Sequence, residues 1–404
     1  MKTFKRSLVA LAIAGAMTAG AAQAQISDGV VKIGVLSDMS SLYTDLAGAG
    51  SVLAARMAVE DSGIEKRGVK IEYVSADHQN KPDVGSGIAR QWYDVDKVDV
   101  IVDVPNSGVA LAVNQITRDK NKVFLASGPA SSDLTGKACS PNTVHWTYDT
   151  WMLANGTGGA IVKTGGDSWF FLTADYAFGH ALERDTEAVV MKNGGKVLGK
   201  VRHPLNNQDF SSFLLQAQSS KAKIIGLANA GGDTTNSIKQ AAEFGIVKGG
   251  QNLAGLLVFL TDVHALGLQT AQGLIVTNTF YWDQNDQTRA FAKRFAGANK
   301  GIHPTMVHAG VYASVRHYLK SIEALKSDDG AKVVAHMKSQ PTDDPLFGKG
   351  SIRVDGRKIH PAYLAEVKKP SESKGAWDYY KIRTTIPAEQ AFRPLAEGGC
   401  SLVK

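Results

Sequence analysis

The residues best able to do chemistry in this chain are few, and their spacing argues against most reactions. The run Gly194-Gly195-Lys196-Val197-Leu198-Gly199-Lys200 holds most of a phosphate-binding loop, but Val201 stands where a Ser or Thr hydroxyl would hold magnesium. It also leaves a helical pattern and enters a strand pattern, the reverse of the order such a loop requires, and a helix-terminating turn accounts for it. Gly48-Ala49-Gly50 offers two glycines of a dinucleotide fingerprint, yet Leu53 replaces the third and the pair lies eleven residues beyond Ser37, where a tight turn is needed. None of the ten histidines pairs at i, i+4 to form a zinc-binding face. Cys139 has only His145 near it, and no Gly-x-Ser-x-Gly elbow occurs. With no nucleophile, metal or cofactor constellation, binding is the better default. A secreted enzyme on a doubly wound scaffold is the reading from another class.

The elements that must position a binding site alternate regularly. The pattern predicts strands at 31–37, 69–76, 98–104 and 122–127 with helices at 48–62, 84–94 and 109–118 between them, the rhythm of a parallel sheet covered on both faces. After Tyr148 the rhythm restarts, with helices at 151–164, 181–193, 210–219 and 235–244 and strands at 168–173, 196–202, 222–228, 253–260 and 274–279. Helices at 287–298 and 305–327 and a hairpin-like run through 351–354 and 362–367 follow; they are too little for a third domain and are added back onto the two halves. Ligands of open parallel sheets sit beyond the carboxyl ends of the strands. Those ends here are rich in small and polar residues, among them Pro105-Asn106-Ser107-Gly108, Ser127-Gly128-Pro129-Ala130-Ser131, Ala174-Asp175-Tyr176, Ala230-Gly231-Gly232-Asp233 and Thr261-Asp262.

Composition narrows the class further. The 404 residues, 44% hydrophobic and 21% charged, suit about two globular domains. Lys2, Lys5 and Arg6, an apolar stretch from Leu8 to Ala19, and Ala22-Gln23-Ala24 read as a secretory signal over 1–24, cut before Gln25; the apolar run is too short to span a bilayer. Those residues hold three basic and no acidic side chains, so the mature chain carries 42 basic against 38 acidic groups, a net charge of +4. That balance, without an arginine-rich stripe, argues against nucleic acid as a partner. In an oxidising compartment Cys139 and Cys400 are expected to pair, the alternative being two unpaired buried thiols.

An exported chain with Lys32-Ile33-Gly34-Val35-Leu36, then Asn106-Ser107-Gly108, Pro129-Ala130-Ser131-Ser132-Asp133-Leu134-Thr135, and Asp175-Tyr176-Ala177-Phe178-Gly179 resembles the periplasmic Leu/Ile/Val-binding protein family, the substrate-binding subunits of ABC importers. The resemblance runs from about Val31 to Val367. It implies an α/β, two-lobed Venus-flytrap of periplasmic binding protein type I, each lobe a doubly wound, mostly parallel sheet, with three hinge strands. Lobe 1 would comprise 25–146 with 283–347, and lobe 2 would comprise 147–282 with 348–404.

The resemblance also implies where a ligand sits. Ser107 matches the serine that holds a carboxylate, at a strand-to-helix junction where free amides favour an anion; its competing role is N-capping. Gly128 matches a backbone contact, Ala130 stands where the family's contacting threonine usually stands, and Ser131 is the substitute for it. Tyr43, Tyr176 and Phe178 match cleft aromatics, with core packing as the alternative, and Tyr281 is placed as a further aromatic wall. Asp233 and Asp262 are the candidates to face an ammonium, against solvated loop positions. The implied function is that of a monomeric periplasmic binding protein that delivers a branched-chain or related amino acid to ABC permease subunits at the inner membrane, with no cofactor and no metal. The departure at Ala130, with Trp146, Tyr148, Trp151, Tyr281 and Trp282 near the crossovers, keeps an aromatic carboxylate open as the ligand. A sensory ectodomain lacks the transmembrane segment it would need.

Overall fold

The computed structural model describes residues 26–404, so the signal expected at 1–24 lies outside the described residues. Two parallel sheets dominate. The first is built from β1 (Val30–Ser37), β2 (Lys70–Asp77), β3 (Val100–Asp103), β4 (Val123–Ala126) and β5 (Thr143–His145), in the order β2-β1-β3-β4-β5. Helices α1 (Gly48–Ser62), α2 (Pro82–Asp94) and α3 (Ser107–Asp119) connect its strands. After α4 (Thr150–Leu153) and α5 (Gly159–Lys163) comes the second sheet, β6 (Ser168–Ala174), β7 (Lys196–His203), β8 (Ile224–Ala228) and β9 (Asn252–Gly255), in the order β7-β6-β8-β9, with α6 (Ala177–Lys192), α7 (Ser211–Ser219) and α8 (Gly232–Glu243) between strands. Both sheets are parallel throughout, which requires a crossover for every strand pair.

Each strand feeds two layers because successive side chains point to opposite faces. Val35, Val102 and Leu125 enter one core with α1, while Leu36, Ile101 and Phe124 enter another with α2 and α3. In the second sheet Phe171 and Phe170 divide in the same way.

The remainder returns to both halves. Helices α9 (Leu260–Leu266) and α10 (Leu268–Ala271) precede β10 (Ile275–Asn278); α11 (Asp286–Ala298), α12 (Met306–Leu325) and α13 (Gly330–Ser339) follow. Antiparallel β11 (Thr342–Asp344), β12 (Gly348–Ile352) and β13 (Lys358–Ile359) form a small sheet, and β14 (Ala362–Val367) lies between β10 and β15 (Tyr380–Ile386) in another. The chain then runs past Phe392 to Cys400, which is bonded to Cys139 in the loop between β4 and β5.

Three local departures from the periodicity have physical causes. The single helix expected over 151–164 is broken by a π turn at Ala154–Gly158, where a Cβ on Gly156 would stand 2.4 Å from the Thr277 hydroxyl; β10 approaches too closely for regular side chains. The strand expected over 253–260 stops at Gly255, because the Asp262 carboxylate accepts the Phe259 amide at 2.8 Å and starts α9 instead. Short β5 and the exposed β15, with burial on its first residue only, carry too little apolar alternation to be read from sequence.

Candidate functional site

The carboxyl ends of β1, β3 and β4 face those of β6, β8 and β9 across a narrow cleft. Tyr43, Leu46, Pro105, Gly128 and Ala130 line it from the first sheet, and Tyr176, Phe178, Ala230, Leu257 and Phe259 from the second. Tyr148, just after β5, completes the wall. Among the described residues, this wall carries no charged side chain.

Tyr43 is placed by a buried carboxylate. Asp38 accepts the amides of Tyr43 at 2.8 Å and Ser41 at 2.9 Å and the Asn80 side-chain amide at 2.6 Å, which fixes the loop after β1. The Tyr43 phenol bonds to that of Tyr176 from the opposite side. Tyr148 donates its hydroxyl to the Gly128 carbonyl at 2.6 Å, and burial pushes its phenol well up, so it stays a donor. The Tyr148 ring meets Phe259 edge-on at 6.0 Å, and Tyr176 and Phe178 lie 5.9 Å apart.

The backbone entering the cleft is strained at the end of β3. Asp103 and Val104 have φ of 81° and 60°, the left-handed region that a β-branched residue such as valine strongly disfavours. The turn brings Asp103 against β4: a Cβ on Gly128 would sit 2.5 Å from Asp103 Oδ1, so only glycine fits there. Asp103 Oδ2 accepts the Ser37 hydroxyl at 2.8 Å, Oδ1 has no hydrogen-bond partner among the described residues, and burial pushes the carboxyl up to about 7.

Five of the residues singled out from the sequence, Tyr43, Gly128, Ala130, Tyr176 and Phe178, lie on this wall. The other five lie behind it. The cap of α3 is Asn106, whose side chain accepts the amides of Gly108 and Val109; Ser107 is buried in the first turn, its hydroxyl accepting the amides of Ala130 at 3.3 Å and Ser131 at 3.2 Å. The Ser131 hydroxyl accepts the Asp133 amide at 3.3 Å. Asp233 accepts the amides of Asn206 at 3.0 Å and Asn207 at 2.8 Å, and Asp262 accepts that of Phe259; burial pushes each carboxyl up to about 7. Tyr281 belongs to the second-sheet core, donating to the Trp377 carbonyl at 3.3 Å, with its ring 5.2 Å from Tyr380.

Leu46, Leu257 and Phe259 were not singled out as site residues. Leu257 and Phe259 were hidden by the overlong strand expected there, and Leu46 sits in a loop with no periodicity. Pro105, Ala230 and Tyr148 stand at strand ends or a crossover, which was the available signal.

The profile of a family described as periplasmic binding protein matches residues 30–376. A periplasmic binding protein from Burkholderia mallei is 53% identical, covering 93% of this chain and 100% of its own, with a TM-score of 0.91. A Burkholderia xenovorans LB400 structure described as a branched chain amino acid ABC transporter periplasmic ligand-binding protein is 41% identical, with coverages of 93% and 100% and a TM-score of 0.82. The Leu/Ile/Val-binding protein homolog 6 of Brucella melitensis is 26% identical over 381 residues, 91% of this chain and 94% of the relative.

Proposed function

Since the chain belongs to the periplasmic binding protein family, the substrate-binding components of ABC transporters rather than enzymes, we propose that its cleft captures a small aromatic or branched apolar carboxylate that carries no amine. The observation that carries this reading is the cavity wall. Four aromatic side chains besides Tyr148 surround the space, and no acidic group stands on it. An ammonium closed into such a cleft would be an unpaired buried charge, which is strongly penalised. Asp233 and Asp262 are already engaged by backbone amides.

A carboxylate meets better chemistry. The positive dipole end of α3 lies beyond the end of β3, where Asn106 already caps the Gly108 and Val109 amides, and the Ala130 and Ser131 amides rest on the Ser107 hydroxyl through long bonds that an anion would outcompete. Closing the lobes over such a ligand excludes water and strengthens those contacts. The amino-acid reading is the second one, and it is favoured by the descriptions of the Burkholderia xenovorans and Brucella melitensis relatives.

For the lobes we start from the division into 25–146 with 283–347 and 147–282 with 348–404 and move only its third crossing, to His360-Pro361 between β13 and β14, which the pairing of β12 with β11 and β13 and of β14 with β10 supports. Export through residues 1–24, permease subunits as partner and a monomeric state belong to the same proposal.

Calorimetric titration of benzoate, 4-methylpentanoate and L-leucine tests the ligand class. The proposal expects binding of the acids and at least a tenfold loss on adding the amine, since about 1.4 kcal/mol is tenfold. L-leucine binding as tightly as 4-methylpentanoate would overturn it.

A further inference from the structure

Arg357 is fully buried, on the segment that returns from β12 to β13 behind the cleft. It forms a parallel bridge with His145, whose amide donates to the Gly356 carbonyl at 2.9 Å. Its Nη1 donates to the Tyr148 carbonyl at 2.9 Å and lies 3.5 Å from Asp149 Oδ2, and its Nε donates to the Lys358 carbonyl at 3.0 Å. The guanidinium lies 4.5 Å above the Phe392 ring. Asp149 uses its other oxygen to cap α4 through the Met152 amide at 2.8 Å. Burying a guanidinium is expensive, and a hydrophobic side chain of similar volume commonly replaces such a pair at no loss of stability. Its presence therefore calls for a role beyond filling space.

Tyr148 supplies that role. Its carbonyl is held from behind by Arg357, while its phenol is the one wall group that reaches back to Gly128 on the first-sheet side and packs its ring against Phe259 on the second. The guanidinium serves the Tyr148 carbonyl and the Asp149 carboxylate through Nη1 and the Lys358 carbonyl through Nε, donors held apart in one plane; the three donors of an ammonium radiate from a single nitrogen and do not reproduce that spread.

We propose that Arg357 is a positioning residue of the ligand cavity, fixing the backbone at Tyr148 so that its phenol spans the two sides of the wall. This rests on the cavity being the ligand site.

The test labels the protein with 3-fluorotyrosine and follows the Tyr148 fluorine resonance, assigned by Tyr148→Phe, with Tyr93 of the first lobe as an internal control. Two variants are compared: Arg357→Lys, which keeps the charge, and Arg357→Met with Asp149→Asn, which leaves no charge unpaired. In both, the Tyr148 signal is expected to shift or broaden while that of Tyr93 stays, and benzoate affinity is expected to fall about tenfold or more. A folded variant with an unmoved Tyr148 signal would overturn the proposal. So would failure of both variants to fold, which would mark Arg357 as purely structural. Absence of benzoate binding to the unmodified protein would count against the aromatic-acid reading alone, because the Tyr148 signal is read without ligand.

Discussion

The phenol oxygens of Tyr43 and Tyr176 hydrogen-bond to each other across the cleft, joining the loop after β1 to the residue that precedes α6. The two tyrosines are also walls of the cavity, so with the ligand proposed there the groups that would confine it are those that join the two sides of the cleft. On that proposal closure and capture share one equilibrium, and a change at this contact shifts both.

Tyr176→Phe removes the bond and leaves the ring in place. The closed form should lose about 0.5–1.5 kcal/mol, and the apparent affinity for any cleft ligand should fall by the corresponding factor. Small-angle scattering of the ligand-free protein should show a larger radius of gyration than the unmodified chain. An unchanged radius together with unchanged affinity would remove this bond from the closing equilibrium.

Gly231→Ala acts at the same junction by crowding. Gly231 has φ of 58°, and a Cβ there would stand 2.6 Å from the Leu42 carbonyl oxygen and 3.1 Å from the Tyr43 ring. The extra carbon should oppose closure by about 1–3 kcal/mol, as overpacking does elsewhere. Scattering should report an expanded molecule, and titration a weaker complex; wild-type behaviour in both would show that the loops yield.

Asp262 predicts a pH effect on stability. Burial raises its carboxyl from 3.8 to about 7 against the lowering effect of the Phe259 amide. Between those values the folded chain keeps a proton that the unfolded chain has released, so the contribution is present below about pH 4 and lost as pH rises to about 7. Buried His78 and His308, pushed down to about 4, act with the opposite sign and lose stability as pH falls from 6.5. Asp262→Asn deletes only the first effect. Between pH 5 and 7 the change in its denaturant stability should therefore be more positive than that of the unmodified protein, by about 1–2 kcal/mol. Equal changes in the two proteins would contradict the raised carboxyl.

Replacing Cys139 and Cys400 by serine should lower stability by about 2–5 kcal/mol, because the bond closes a loop with a sequence separation of 261 residues and restrains the unfolded chain. Paired denaturant melts of the oxidised protein and the double variant measure it, and coincident curves would refute it.

Much of the fold was legible because its strands are short apolar runs bounded by turn residues, as in Val30–Ser37 and Ile224–Ala228, and its crossovers are amphipathic. Tyr43 and Tyr176 were legible through the family resemblance, each lying in a strand-to-helix loop, Tyr43 six residues beyond β1 and Tyr176 two beyond β6. What sequence concealed was the direction of side chains at helix starts. Asp233 and Asp262 occupy the positions expected of ammonium partners, but each turns inward to satisfy loop amides, a choice set by tertiary contacts with Asn206, Asn207 and Phe259. Arg357 was illegible for a related reason. An arginine among polar residues near a turn looks solvated, and only the return of the chain beneath Tyr148 buries it.

The bond between Cys139 and Cys400 makes most of the molecule a macrocycle. The whole second sheet and the segments joining it to the first lie inside that ring, and only the strands through β4 form an open arm. A protease that cuts once in an exposed stretch such as 247–250 would open the ring without dividing the protein. Both cysteines are buried, so a reductant reaches the bond only after local opening. A nicked molecule thus remains one covalent species, its two strand-end walls still tethered, until the tail beyond Phe392 comes away from the loop that holds Cys139 and a thiol reductant cleaves the exposed bond.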